Sequence, residues 1–222
     1  MSIILNIETA VQTASVCLTQ NGQVLGIKIN PLQKDQAAWL HVAIKELIED
    51  KDIGLPQINA IAISSGPGSY TGLRVGMAAA KGLCYALQIP LITINTLQLM
   101  TMAALQEQTE LFCPMIDARR MEVFTAVFNE QLEAIVSPVN IILNETSFNE
   151  LLNQHTISFF GNGSSKFRLL IHHKNAVFKQ VEATAEHMIS LSFQKFMKQD
   201  FADIAYTEPF YGKDFHSSVK QS

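Results

Sequence analysis

A chain of 222 residues, 48% apolar and 16% charged, can bury one large core or two smaller ones, and this composition excludes a mostly disordered protein. The formal net charge of −4, with no cluster of lysines and arginines, gives no electrostatic reason for strong nucleic-acid binding by this chain alone. Cys17, Cys84 and Cys113 lie in apolar runs and read as reduced thiols. No stretch reads as transmembrane, and residues 3–5 are too short for a signal core and are followed by Asn6 and Glu8, so a cytoplasmic protein is expected.

In chain order, residues 3–7 read as a buried strand with a polar turn at Glu8, Thr9 and Ala10. Residues 14–19 return, Asn21-Gly22 signals a hairpin, and residues 24–29 complete an antiparallel meander. Asp35 is placed to cap a helix to about residue 49, with Trp39, Val42, Ala43, Leu47 and Ile48 at helical spacing. Residues 58–64 form the central strand. Gly66, Pro67 and Gly68 then break regular structure, and a helix is expected from Gly72, capped by Ser69 or Thr71. Pro90 stops it, residues 91–94 are a strand, and Thr96 opens a helix through about residue 106.

The second half starts alike. Residues 111–116 and 122–128 read as strands joined by the turn Asp117-Ala118-Arg119-Arg120, and residues 131–136 add another. A helix over 147–152, a strand over 157–160, a turn at 161–163, a short strand at Phe178 and an amphipathic helix over 185–197 follow. The irregular tail carries Tyr206, Pro209, Phe210 and Tyr211 as aromatic anchors. This reading gives two α/β lobes, 1–104 and 105–222, each opening on a hairpin with a carboxylate at its first turn.

Strand, glycine turn and helix together aim backbone amides at an anion or let another backbone come close. The loop is no Walker A motif, because no Gly-Lys-Ser/Thr follows, and glycines 66, 68 and 72 miss the dinucleotide-binding spacing by one residue. Behind it, Gly72, Gly76 and Ala80 form one small-residue row, and Ala78, Gly82 and Ala86 a second. Glycine costs about 1 kcal/mol against alanine inside a helix, so these positions need a compensating contact. One row can face the lobe's own sheet and the other a neighbouring helix, of this chain or of a partner. Arg74, in the helix's first turn, meets the positive end of the helix dipole, which a nearby anion would offset.

The run Ser65-Gly66-Pro67-Gly68-Ser69-Tyr70-Thr71-Gly72-Leu73-Arg74-Val75-Gly76, followed by Ala80-Lys81-Gly82-Leu83, resembles the signature of the TsaB family. Residues 4–9, Asn95-Thr96-Leu97, Asp117 to Phe124 and Pro209-Phe210-Tyr211 keep that family's order, so the resemblance is specific over residues 1–128 and thin over 130–205. It implies the two-lobed actin/Hsp70/sugar-kinase (ASKHA, ribonuclease H-like) α/β fold with duplicated mixed sheets. It also implies a non-catalytic, cofactor-free subunit that binds TsaD, in an assembly with the ATPase TsaE. That assembly transfers threonylcarbamoyl from its adenylate to the adenosine beside the anticodon of tRNAs reading codons that begin with A. The assembly, not this chain alone, would hold the tRNA, and the same surface can form a homodimer. The resemblance places the partner interface on Gly72, Val75, Gly76, Ala79, Ala80 and Leu83, with Tyr70 and Arg74 at its rim.

TsaD holds a metal through a His-x-x-x-His pair; Thr96 and Met100 stand at those positions, so no metal site is expected. The six histidines show no metal-type spacing, and no catalytic residue is assigned. The superfold's phosphate turns are altered, with Glu8 and Thr9 in the first, and Asp117 and Arg119 in the second. Together with Gly66 and Gly68 they make a vestigial anion or nucleotide site. The competing readings are an independent metallopeptidase-like or small-molecule kinase-like enzyme of the same superfold, or a stand-alone homodimeric binding module.

Overall fold

The computed structural model describes residues 2–30 and 35–212. The chain runs β1 (Ile3–Glu8), β2 (Ser15–Gln20), β3 (Gln23–Ile29), α1 (Gln36–Asp50), β4 (Ala60–Gly66), α2 (Tyr70–Leu87), β5 (Leu91–Asn95) and α3 (Thr96–Ala104). It continues through β6 (Leu111–Asp117), β7 (Glu122–Phe128), β8 (Ala134–Ile142), α4 (Asn149–Leu152), β9 (Ile157–Phe160), α5 (Ser164–Arg168), β10 (Ala176–Phe178) and α6 (Ile189–Met197).

Two five-stranded sheets result, ordered β3-β2-β1-β4-β5 and β8-β7-β6-β9-β10. In each, the first three strands in sequence pair antiparallel and the next two add in parallel. The same pairing order thus occurs twice, as the paired hairpins of the sequence imply. The physical reason is local: Asn21 and Gly22 both take positive φ, which suits a tight hairpin, while the parallel additions each need a crossover.

Side chains alternate across the first sheet. Leu5, Ile7, Val16, Leu18, Ile61 and Ile63 face α1 and α2 and meet Leu40, Ile44, Leu47, Met77 and Ala80. The opposite face carries Ile4, Ala62, Ile92 and Ile94 against α3 and, across it, Phe112, Phe124, Phe128 and Phe160 of the second sheet. A third cluster around Phe159, Phe167 and Leu152 covers the outer face of that sheet. Each fully buried side chain of this kind contributes about 1.5–3 kcal/mol.

Several local expectations change. Asp35 takes a left-handed conformation and makes no capping bond, so α1 is held by packing rather than by a cap; Leu40 and Ile44 are buried where Val42 is exposed. Thr96 opens α3 as expected, with Asn95 as its cap accepting from the Leu97 and Gln98 amides, but α3 ends at Ala104 rather than near residue 106. The strand expected over 131–136 lies at β8 and runs longer. The amphipathic stretch 185–197 splits into a short 3-10 turn, Ala185–Met188, and α6. Tyr206 is 85% exposed and anchors nothing through its ring.

The chain after β10 returns to the first sheet: the Ala185–Met188 turn packs on β1 and β2, α6 on β5, and the Ala202 amide bonds to Leu91 O (2.8 Å). A division at residues 104 and 105 remains our proposal for where the duplicated unit begins, with the segment from 185 onward lying on the first sheet.

Candidate functional site: the glycine loop and the two carboxylate turns

β4 ends in the loop Gly66–Gly68 and α2 starts at Tyr70, capped by the Ser69 hydroxyl, which accepts from the Gly72 amide at 3.2 Å. Three pieces of the chain press on this loop. Gly66 has φ +115°, and a Cβ there would overlap the Phe210 carbonyl; the Phe210 amide donates to Ser65 O at 2.7 Å. A Cβ at Gly68 would lie 2.5 Å from Ala10 O, which accepts from the Ser69 amide at 2.8 Å. The Gly66 amide donates to Thr96 Oγ1 at 3.1 Å. The glycines are therefore used for close approach of this chain to itself.

Below the loop lies the first turn. Glu8 is fully buried, and the Ala10 and Val11 amides donate to its Oε1 (2.5 and 2.9 Å). Burial pushes its carboxyl from 4.5 up to about 7, against the opposing influence of the Ser64 hydroxyl and the Val11 and Ala10 amides. Ser64 adjoins Glu8 without reaching hydrogen-bond geometry: Glu8 Oε2, Ser64 Oγ and Thr9 Oγ1 are buried with no partner among the described residues. Thr9 sits on the far side, under α2. A Cβ at Gly72 would overlap its carbonyl oxygen and one at Gly76 its hydroxyl, with Ile63 Cδ1 at 2.9 Å.

This settles which small-residue row faces in. Gly72, Gly76 and Ala80 are buried against the first turn and β4, and Ala79 is 8% exposed. These four are buried within the lobe, which argues against their assignment to an interface. The outer side of α2 carries Tyr70, Arg74 and the second row, Ala78, Gly82 and Ala86, with Val75 and Leu83 half-buried beside α1. Among the described residues, nothing lies within 4 Å of a Cβ built on Gly82. Arg74 donates to the Tyr70 hydroxyl at 2.7 Å and lies over its ring at 5.1 Å, so an intrahelical aromatic partner attends this first-turn cation. Tyr70 in turn packs on Tyr211, ring centroids 5.0 Å apart.

The second turn is open. Asp117 forms an ion pair with Lys166 and accepts from the Arg119 amide at 2.6 Å. Partial burial works to raise its carboxyl, but Lys166 and the Arg119 amide and charge outweigh that and hold it below the ordinary aspartate range. Arg119 and Arg120 both take positive φ (69° and 47°) and are exposed. Residues of both turns, with Gly68 and Tyr70, line a cleft of about 1060 Å³ between the sheets. Of the six residues grouped as a vestigial anion site, Gly68, Asp117 and Arg119 meet at this cleft. Glu8 and Thr9 lie sealed beneath it and Gly66 is covered by Phe210, which corrects their inclusion. Lys166, which pairs with Asp117, carried no local sequence signal, because it arrives from a distant segment; Phe210 was marked as an aromatic anchor, but not as the residue that covers Gly66.

Where TsaD's histidine pair would stand, Thr96 spends its hydroxyl on the Gly66 amide, and Met100 is a 5%-exposed core residue. Among the described residues, no three of His, Cys, Asp and Glu converge as metal ligands. His173 and His187 accept from the Asn175 and Thr184 amides through Nδ1 (3.2 and 3.1 Å), and His155 pairs with Glu110; His216 lies outside the described residues. Burial pushes each of the three thiols up to about 12. No helix of the described residues is long and apolar enough to cross a membrane.

The sequence model of the family described as "TsaD: tRNA N6-adenosine threonylcarbamoyltransferase" matches residues 23–208. The chain is 31% identical to the tRNA threonylcarbamoyladenosine biosynthesis protein TsaB of Bacillus subtilis over 76% of this chain and 74% of that protein. It is 28% identical to the Escherichia coli protein of the same name, over 94% and 93% respectively. A crystal structure of an uncharacterised Pseudomonas aeruginosa protein with similarity to the peptidase YeaZ superposes with a TM-score of 0.85 at 22% identity, covering 96% of this chain and all of that one. The duplicated topology of two mixed sheets is that of the ASKHA-like fold. From the match over most of its length and the relative above 30% identity, the chain belongs to the TsaB family of tRNA threonylcarbamoyladenosine biosynthesis proteins.

Proposed function

We propose that this protein is a cytoplasmic, non-catalytic subunit in the biosynthesis of threonylcarbamoyladenosine on tRNA, where it binds and supports TsaD in a complex that includes TsaE. The observation that carries the non-catalytic reading is the filling of the glycine loop by the chain itself. Phe210 and Ala10 take the space against Gly66 and Gly68, and Thr96 and Ala10 take the Gly66 and Ser69 amides, which would otherwise be free for a phosphate. Family membership supports the pathway.

The docking surface we assign is the outer side of α2, with Tyr70, Arg74, Val75 and Leu83 retained and the row Ala78, Gly82, Ala86 at its centre. A glycine inside a helix with open space around it weakens the helix by about 1 kcal/mol, and a partner backbone in close approach is a compensating contact. The same surface serves a homodimer when TsaD is absent.

The test is a pull-down with TsaD from the same organism, using wild type and Gly82→Leu. Retention by wild type and loss by a folded Gly82→Leu supports the assignment; equal retention removes α2 as the surface. Stoichiometric bound metal or rapid ATP turnover by the isolated chain would overturn the non-catalytic reading.

A further inference from the structure

Glu8 does no work in the reading above, yet it sits where three parts of the first lobe meet. Its Oε1 holds the Ala10 and Val11 amides. Ala10 in turn accepts from the Ser69 amide and packs under Gly68, and Thr9 lies under Gly72 and Gly76. Its Oε2 is buried without a partner, next to an equally unpartnered Ser64 hydroxyl. An ionised carboxylate leaves one charged oxygen at 0% exposure with no more than the adjacent Ser64 hydroxyl to face it, whereas a neutral carboxyl leaves only a hydroxyl to place.

Among the described residues, no charged group relieves this. β4 and α3 carry no ionisable side chain, and β2 carries only the buried Cys17 thiol. Arg74 of α2 is exposed, and Lys81 reaches away to Thr207 O. Glu182 and Glu186, on the segment over β1 and β2, are exposed, with His187 bonded to Thr184 beside them, and no charged side chain shifts Glu8.

We infer that Glu8 is a proton-linked latch: its neutral form seats the turn 9–11, and through Ala10 the glycine loop and the start of α2, and loss of its proton favours release of that turn. The coupling is local to this chain and stands whether or not TsaD binds α2. The raised carboxyl places the transition near neutral pH rather than in acid.

The test uses the full chain. The Glu8 carboxyl carbon is followed by NMR against pH, and exchange of the Ala10, Val11 and Ser69 amides is measured after correction for intrinsic base catalysis. The expected result is a carboxyl midpoint near 7. Local opening should rise about tenfold per pH unit between 4.5 and 7 and then level off. Glu8→Gln should abolish that slope, and Ser64→Ala, which removes a group favouring the charged form, should move the midpoint upward. A carboxyl midpoint in the ordinary glutamate range, or the same slope in wild type and Glu8→Gln, overturns the latch. If Glu8→Gln does not fold, the wild-type midpoint and its displacement in Ser64→Ala still decide the matter.

Discussion

The two carboxylate turns occupy equivalent places in duplicated sheets, yet one is sealed and the other open. After β1, Glu8 turns inward, its amide bonds are made within the turn, and an eighteen-residue helix lies directly on it through Gly72 and Gly76, two of its three glycines. After β6, Asp117 stays at the surface with Lys166, and the helix at the corresponding crossover, α5, has five residues. One fold thus turns the same position into a packing centre in one lobe and a solvated ion pair in the other. The deciding factor is what the crossover helix can bring close: Gly72 and Gly76 admit Thr9 to van der Waals contact, while Lys166 reaches Asp117 through a long side chain.

If the sealed turn depends on that close approach, Gly76→Leu should be the most damaging change. A side chain there must displace Thr9 and Ile63, and denaturant unfolding should show a loss of 3 kcal/mol or more, or no soluble protein. Folding with little loss would mean that α2 can lift from the turn.

Glu8→Gln probes the same turn with a sign set by pH. The folded-state value is raised, so the favourable fit of the neutral carboxyl is fully present below pH 4.5 and is lost as pH rises through about 7. Gln keeps the shape and removes the ionisation. Urea titrations should show near-equal stability at pH 4 and an advantage for the variant of order 3 kcal/mol at pH 8.

On the outer side of α2, Gly82→Ala meets open space and should stabilise the isolated chain by about 1 kcal/mol, measured as a rise in midpoint denaturant. The contrast with Gly76, six residues earlier on the same helix, tests the inward and outward rows directly. At the open turn, Asp117→Asn should cost less than about 1 kcal/mol at low salt and nothing measurable at high salt, because the pair is partly exposed and screened. In wild type that contribution is present above the ordinary aspartate range and is lost as the pH falls through the lowered folded value. A large, salt-insensitive loss would make the second turn as structural as the first.

Much of the architecture was legible before any coordinates. The meander with Asn21-Gly22, the strand and glycine loop, the Ser69 cap and the repeat of a hairpin with a carboxylate at its turn all rest on local chemistry. The loop glycines were legible only as two alternatives, an anion cradle or a close approach of backbone. The interface residues were misread because Gly72, Gly76 and Ala80 look the same in sequence whether they meet a partner or Thr9. The six-residue anion site came apart for a similar reason: a residue type at a turn does not say whether the side chain enters the cleft or the core.

By itself, then, the sequence determined the order of elements, the duplicated plan and the family, all carried by short-range periodicity, turn chemistry and a dense motif between Ser65 and Leu83. Only the tertiary structure decided which face of α2 is free and what becomes of Glu8. Small residues line two sides of α2, so the glycine rows alone do not show which one is buried; contact with β4 and the first turn decides it. Nor can a carboxylate's protonation be read without its neighbours. Ser64, 56 residues away, and the lid of Ala10 and Ser69 supply the dry, half-satisfied surroundings that set it.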